Sequence, residues 1–426
     1  MHNHDKMIDI EEALKRILKD FVPLESENKP ILSAQGQILS KDILGQFNVP
    51  SFDNSAMDGF AVVSDDTIGS TTQKPSTLKI IGSVSAGEIS RQTVKKGTAI
   101  RIMTGAAIPE GANAVVPFEE TDEVDRKIVL EKEITQISIR SETKPGTHIR
   151  LSGQDIQKGE KVLSAGTALQ AADIGVLASL GYEKVDVIKR PKISILSTGK
   201  ELIEPGGSIS EGKIYDSNSY SVAAAAINAG ALPTMLGIAG DDRSEIIQKL
   251  EMGLDSDMII TSAGVSVGDY DIVKDVLSDK GKMEFWSVKI RPSKPLAYGN
   301  LLRDDGKNIP LIGLPGNPVS ALIGFELFGR PAIHKMLGKG ETSRPIISAI
   351  LQEPIYNYDG RKVFSRAVIS KKEGVYYAKL TGHQGSNLLT SMSKANGLVI
   401  CPSHIPVQAS GESVDVQMTD WPEEVF

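Results

Sequence analysis

The 426-residue sequence predicts a multidomain α/β plus β fold, with a three-layer α/β unit standing between β-rich ones. Three observations carry that prediction. The length exceeds what one hydrophobic core fills, so several domains are expected. Between 190 and 335 the chain alternates strand, loop and helix, the rhythm of a parallel sheet covered on both faces. From about 48 to 139, and again beyond about 345, short β-branched runs broken by Gly, Pro and Asn replace that rhythm.

Taken in order, Ile10, Leu14, Ile17, Leu18 and Phe21 follow helical spacing and predict one amphipathic helix that stops before Pro23. Runs such as Thr98-Ala-Ile-Arg-Ile-Met103 and Ala114-Val-Val-Pro117 predict a small β unit. Turn-rich sequence resumes at 140, followed by a helix from Ala171 to Leu180 ended by Gly181, so the β unit reads as an insertion. In the α/β unit, Ile193-Ser-Ile-Leu196 precedes an alanine-rich helix from Ser217 to Ala229, closed by Gly230. A strand at Thr234–Ile238 comes before a helix that Asp242 and Glu245 start as a capping box. The strand at 257–261 is followed by a helix, then Ile309-Pro-Leu-Ile-Gly313 and an apolar helix from Val319 to Phe328. Alternation around Val363-Phe364 and Val375-Tyr-Tyr377 predicts a compact barrel or sandwich in the tail.

Composition narrows the function classes. With 40% hydrophobic and 24% charged residues, no apolar run of bilayer length and no secretory pattern at the N-terminus, the sequence predicts a cytoplasmic protein without a membrane segment. A net charge of −7 gives no general attraction for nucleic acid, so an anionic ligand needs a local cluster of cations. The lone Cys401 excludes an intrachain disulfide and multi-cysteine metal sites, and reads as a buried structural thiol. Six scattered histidines offer no close metal-binding pair beyond His2 and His4 at the terminus.

The chemistry gathers in loops. Ser262-Ala-Gly-Val-Ser-Val-Gly-Asp-Tyr-Asp271 follows a strand and precedes a helical pattern. Its glycines let the backbone approach a ligand, Ser266 adds a hydroxyl and the helix start offers N–H groups, a combination suited to phosphate. Asp269 and Asp271 would then call for a cation such as Mg²⁺ between the anions; alternatively they cap the helix. Ser197-Thr-Gly-Lys-Glu201 and Leu314-Pro-Gly-Asn-Pro318 also follow strands. In open parallel sheets ligands lie beyond the strand carboxyl ends, so the three loops are expected to meet at one cleft. Lys289-Ile-Arg-Pro-Ser-Lys-Pro295 supplies cations on a proline-stiffened backbone, Arg291 as a planar fork and Lys289 and Lys294 as point charges for a tetrahedral oxyanion. A solvated charge run on a surface hairpin is the other reading. Ser51-Phe-Asp-Asn-Ser-Ala-Met-Asp-Gly-Phe-Ala61 is crowded with small polar residues, although Asp58-Gly59 also suits a hairpin turn; Thr104 is available for a hydrogen bond.

Together these segments resemble, end to end, the molybdopterin molybdenumtransferase family, which includes the E domain of eukaryotic gephyrin. The motifs are Ser55-Ala-Met-Asp-Gly59, Arg101-Ile-Met-Thr-Gly105 leading to Pro109-Glu-Gly-Ala-Asn113, Ser197-Thr-Gly-Lys-Glu-Leu202, Gly264-Val-Ser-Val-Gly-Asp269, the basic loop, and Gly313-Leu-Pro-Gly-Asn-Pro-Val-Ser320. The resemblance implies an elongated N-terminal domain from 1–47 and 140–189, an inserted β-rich domain at 48–139, a molybdopterin-binding α/β domain at 190–335 and a C-terminal β-barrel at 336–426. It implies a homodimer whose shared active site brings Asp58 and Thr104 of one subunit to Glu201 and Asp271 of the other.

The implied reaction inserts molybdenum from molybdate into adenylylated molybdopterin, with Mg²⁺-dependent pyrophosphate cleavage and AMP release, forming molybdenum cofactor. Asp58, Thr104, Glu201 and Asp271 then carry catalysis, with Asp58 and Asp271 toward Mg²⁺. Ser262, Gly264, Ser266, Gly268, Asp269, Pro315, Gly316 and Asn317 bind the pterin substrate, and Lys289, Arg291, Lys294, Ser320, Arg361 and Ser386 face molybdate. A molybdopterin adenylyltransferase and downstream molybdoenzymes are implied partners. The chain departs from the family pattern at Lys200, where Asp or Asn is frequent, at Ala263 and Ser293, where glycine is frequent, and at Ser287, where several members carry lysine. Lys289 replaces that lysine only if the loop is not a strict strand. Two other readings are a molybdopterin adenylyltransferase, whose fold the α/β unit alone resembles, and a non-enzymatic scaffold like gephyrin. The inserted β unit opposes the first, and the lack of a fused domain and long linker opposes the second.

Overall fold

A computed structural model describes residues 7–123, 135–240, 242–263, 275–276, 279, 281–340 and 343–420. The chain divides into two compact units. One takes in the described residues of Met1–Lys29, Ala34–Ser40 and Asp186–Phe426; the other spans Pro30–Ser33 and Lys41–Val185.

The larger unit is built on a six-stranded sheet ordered Leu232–Ala239, Lys192–Thr198, Met258–Ser262, Asn308–Leu314, Pro295–Leu302, Gly281–Ser287. The first four strands run parallel. Pro295–Leu302 runs antiparallel to both its neighbours, Asn308–Leu314 and Gly281–Ser287, so the sheet is mixed where the sequence rhythm suggested a purely parallel one. The difference has a simple cause: the last two strands are joined by a short basic loop with no crossover helix, which leaves an antiparallel pairing as the short-range solution.

Alternation along each strand sorts side chains to two faces. Ile193, Ile195, Met258, Ile260, Ile312 and Leu314 meet the helix Asn218–Ala229, the segment from Pro318 to Met336 and the N-terminal helix Ile10–Leu18. Leu196, Ile259, Ile309 and Leu311 meet Ile246 and Leu250 of the helix Arg243–Met252. Helices on both faces of one sheet make the three layers.

Helix ends follow the sequence signals closely. Gly230 takes φ +100 at the end of Asn218–Ala229, a left-handed cap that glycine adopts without a Cβ clash. Asp242 accepts the Glu245 N–H at 3.0 Å, but Glu245 bonds the N–H of Gly240 instead of reaching the cap residue, so the expected capping box is half formed. The apolar helix expected from Val319 to Phe328 is two α-helical stretches, Pro318–Gly324 and Arg330–Met336, joined by a π-helical turn at Phe325–Gly329. Glu326 on that turn holds Arg344 through two bonds of 2.9 and 3.0 Å.

The tail resolves the choice between barrel and sandwich. Lys362–Lys372 pairs with Val375–Leu380, which pairs with Ile346–Leu351, then Ser413–Met418, then Gly397–Cys401, and the last returns to Lys362–Lys372. Five strands close on themselves and leave no open edge. Leu351, Ile369, Val399, Cys401 and Val416 fill the barrel.

In the smaller unit, a five-stranded sheet runs Ala114–Pro117, Gly59–Val62, Thr98–Ile102, Ser76–Val84, Gln136–Ile139. Asp58-Gly59 is not a hairpin turn. Gly59 opens an inner, fully buried strand, and a Cβ there would lie 2.0 Å from the Val116 carbonyl oxygen. Only glycine allows the strand to approach its neighbour that closely. The helix Ala171–Ser179 ends before Gly181 at φ +77, in agreement with the sequence reading.

Candidate active site at the strand ends

Three parallel strands of the larger unit end in the loops that the sequence singled out, and a buried polar network ties those ends together. The amide of Asn218 donates to Ser262 Oγ and to the Gly316 carbonyl, both at 2.8 Å. Thr198 Oγ1 donates to the Ser262 carbonyl at 3.4 Å. Ser197 and Ser219 hydroxyls lie 2.5 Å apart, and Ser219 donates to Asp216 Oδ2 at 2.5 Å. Asp216 Oδ1 accepts the N–H groups of Asn218 and Ser219, each at 3.1 Å, and so caps the helix that begins there. Buried polar groups satisfied this fully fix their loops in one geometry.

Glu201 lies directly over a glycine. A Cβ built on Gly199, whose φ is +147, would sit 2.6 Å from Glu201 Oε1 and 2.7 Å from Oε2. The glycine therefore makes room for the carboxylate at the strand end. Pro315 is buried, while Gly316 and Asn317 are exposed, and Pro318 begins the helix that carries buried Ser320. Gly316 abuts Ala263, which takes φ +75. Gly264, Ser266, Gly268, Asp269 and Asp271 lie outside the described residues.

The basic loop is docked on the barrel. Ile290–Arg291 pairs in parallel with Lys362 and Val363, so it is not a free surface hairpin. The preceding strand ends at Ser287, and Lys289 sits in a bend, so the loop is not a strict strand. Arg291 Nη1 bonds Asp359 Oδ2 at 3.2 Å and Nη2 bonds the Tyr356 carbonyl at 2.7 Å. Arg361 bonds the same Asp359 oxygen through Nε at 3.1 Å and through Nη2, and donates Nη1 to the Ile290 carbonyl. Burial pushes the Asp359 carboxyl up, but the Arg361 and Arg291 guanidiniums outweigh it and hold the group below the ordinary carboxylate range. Lys289 and Lys294 make no side-chain hydrogen bond or ion pair among the described residues. Ser293 is buried at φ +77, with its hydroxyl unpaired. Both positions where the chain lacks the frequent glycine, Ala263 and Ser293, thus take the left-handed conformation that favours glycine.

Ser386 comes to the same helix start: its carbonyl accepts the Val319 N–H at 3.0 Å. The loop holding it is organised by Arg366, which is fully buried and donates to the carbonyls of His383, Gln384 and Gly385 and to Ser391 Oγ. Those acceptors are neutral, and burial pushes the guanidinium down to about 10, which leaves it charged at neutral pH.

In the smaller unit, Asp58 and Thr104 meet directly. Asp58 Oδ1 accepts the Thr104 N–H at 2.7 Å and its hydroxyl at 2.9 Å. These two donors, backbone first, hold the carboxyl below its ordinary value. Both residues are exposed, and Oδ2 has no hydrogen-bond partner among the described residues. Cys401 is buried in the barrel and its thiol is pushed up by burial, as a structural thiol would be.

Residues 8–181 match the MoeA N-terminal region (domain I and II), residues 194–335 a probable molybdopterin binding domain and residues 348–418 the MoeA C-terminal region (domain IV). Molybdopterin molybdenumtransferase 2 of Mycobacterium tuberculosis is 38% identical over 395 residues, which cover 91% of this chain and 93% of that protein. The chain belongs to the molybdopterin molybdenumtransferase family. It is therefore a transferase. The family's member in Haemophilus influenzae is 35% identical over 96% of this chain and 98% of its own length. The fold agrees: a crystal structure of the molybdopterin biosynthesis moea protein from Pyrococcus horikosii superimposes with a TM-score of 0.80, at 30% identity, covering 98% of this chain and all of that one.

Of the residues singled out from sequence, the structure joins Ser262 to Gly316 through Asn218, Arg291 to Arg361 through Asp359, and Asp58 to Thr104, while Glu201 lies over Gly199. The sequence reading missed Asp216, Asn218, Ser219, Asp359 and Arg366. Asp216-Ser-Asn-Ser219 immediately before an alanine-rich helix was a readable signal, because clustered small polar residues at a helix start usually bond its N–H groups. Among the described residues, no group of three or more His, Cys, Asp or Glu side chains is arranged to hold a metal, and no helix is long and apolar enough to cross a membrane.

Proposed function

We propose that this chain inserts molybdenum from molybdate into adenylylated molybdopterin, cleaving the pyrophosphate link and releasing AMP to give molybdenum cofactor. The observation that carries the reading is the Asn218 amide, which joins Ser262 to Gly316 and so gathers two motif loops at the strand ends, where an α/β sheet binds ligands. The relatives' names supply the reaction class.

Molybdate is a tetrahedral dianion. Arg291 and Arg361 offer it planar forks, Lys289 and Lys294 point charges, and Ser320 and Ser386 hydroxyls. Ser262, Gly264, Ser266, Gly268 and Asp269 would cradle the nucleotide-tagged pterin with Pro315, Gly316 and Asn317, and Glu201 would work beside it. The dithiolene sulfurs belong to the substrate, so the chain needs no thiolate of its own, and Cys401 stays in the barrel core. Asp58, held ionised by Thr104 with Oδ2 open, is a hard oxygen donor that fits Mg²⁺, and Asp271 would be its companion. When bound, Mg²⁺ would neutralise charge on the pyrophosphate.

The test is single-turnover AMP release by the purified chain. Release is expected only with adenylylated molybdopterin, Mg²⁺ and molybdate all present. AMP release that ignores molybdate would overturn the reading, and ATP-dependent adenylylation of the pterin would replace it with the adenylyltransferase. Activity retained in Asp58→Ala and Asp271→Ala would point to the scaffold instead. For the proposed homodimer with a shared site, mixing inactive Asp58→Asn and Asp271→Asn chains is expected to restore part of the activity; no recovery in a mixture shown to exchange subunits would refute sharing.

A further inference from the structure

The two guanidiniums assigned to molybdate already share an anion. Asp359 Oδ2 receives Arg291 Nη1, Arg361 Nε and Arg361 Nη2, so three donors converge on one carboxylate oxygen. The group is not sealed in: the side chains of Arg291 and Asp359 are 36% and 34% exposed, which leaves an arriving ligand access to both.

Each arginine has an anchor besides Asp359. Arg291 is fixed by its strand pairing with Val363 and by the bond from Nη2 to the Tyr356 carbonyl at 2.7 Å. Arg361 is tied to the opposite side of the same junction by Nη1 on the Ile290 carbonyl at 3.3 Å. These anchors would remain once the Asp359 charge is removed, beside the position its oxygen now fills.

We propose that Asp359 is a built-in competitor for the oxyanion, which weakens anion binding at Arg291 and Arg361 and restricts it to dianions. The inference rests on the placement of molybdate at these arginines. The selectivity follows from charge. A monoanion that takes over the arginine donors replaces one negative charge by another and gains little. A dianion brings a second charge to the pair, and that surplus offsets the displacement. A carboxylate whose only task was to orient the guanidiniums would have the opposite effect when removed, because the site would then loosen.

The experiment is equilibrium binding of molybdate alone to the full chain at low ionic strength, by calorimetry, for the wild type, Asp359→Asn, Asp359→Ser and Arg361→Met. Both Asp359 variants are expected to bind molybdate roughly fivefold tighter, the scale of one part-exposed charge, and perchlorate, a tetrahedral monoanion, should compete better in them than in the wild type. In turnover the gain should fall on the KM for molybdate and leave kcat unchanged. Unchanged or weaker binding in whichever Asp359 variant melts like the wild type overturns the inference. If Arg361→Met binds molybdate as well as the wild type, the oxyanion is placed wrongly and the inference falls with that placement. Dependence on Arg361 without a gain from Asp359→Asn overturns the inference alone.

Discussion

Replacing Ser293 by glycine should make the protein more stable, although it deletes a buried side chain. Ser293 holds φ +77 in the loop between Arg291 and Lys294, 2% exposed, and its hydroxyl is buried without a partner. Holding a residue with a Cβ in the left-handed region costs about 1–2 kcal/mol, and an unpaired buried hydroxyl costs at least ~1 kcal/mol more. Against this, glycine gives the unfolded chain extra freedom worth ~0.5–1 kcal/mol, and the lost packing of one small side chain is worth roughly another 1 kcal/mol. The balance favours Ser293→Gly by about 1 kcal/mol, or a melting temperature ~2–4 °C higher for a unit of this size. Equilibrium urea unfolding at neutral pH, read by circular dichroism, measures it. The packing partner is specific, since the hydroxyl lies 2.7 Å from where a Cβ on Gly324 would be. A stability that falls by about 0.5 kcal/mol or more would show that the hydroxyl is paired in solution or that the loop relaxes out of the left-handed region. Ala263→Gly, at φ +75, is expected to move stability in the same direction by less, because alanine leaves no polar atom unpaired.

Gly199→Ala would force the Glu201 carboxylate off its position, since that flexible group is what the new Cβ would meet; turnover should fall on the order of 100-fold with folding largely kept, and an active Gly199→Ala enzyme would remove Glu201 from the site. Asn218→Ala should cost about 1–3 kcal/mol in urea, because it strands the buried Ser262 Oγ and takes a donor from the Gly316 carbonyl; a loss below about 0.5 kcal/mol would mean that water already serves Ser262. Thr104→Val keeps the N–H on Asp58 but deletes the hydroxyl, so the Asp58 carboxyl should titrate at higher pH, part of the way back to its ordinary value near ~3.9, as followed by carboxylate NMR. The sign follows from linkage: a carboxyl depressed in the folded state contributes stability above its unfolded pKa and loses it as pH falls through the folded one. Thr104→Val should therefore weaken the pH dependence of unfolding only below about pH 4, and an unmoved titration would refute the hydroxyl's part.

The amphipathic spacing from Ile10 to Phe21, the alternation of strand and helix after 190 and the glycine stops at Gly181 and Gly230 were readable because each depends on neighbours in sequence. The same holds for the motif loops, whose small and charged residues sit together in the chain. The mixed sheet was less legible, since strand direction depends on how the chain returns after the basic loop and is not written in the composition of the strands that flank it. Asp58-Gly59 shows the opposite case: the dipeptide fits a turn locally, and only the Val116 carbonyl 2.0 Å from its missing Cβ explains the glycine.

Sequence alone determined the family, the fold class and the residue types gathered in each motif loop, because hydrophobic period and loop composition are local properties. Tertiary structure decided which of those residues touch. Asn218 reaches Gly316 across 98 positions and Arg291 meets Asp359 across 68, and no local pattern encodes such pairs. They arise when a sheet and a barrel bring distant backbone together and buried donors must each find an acceptor.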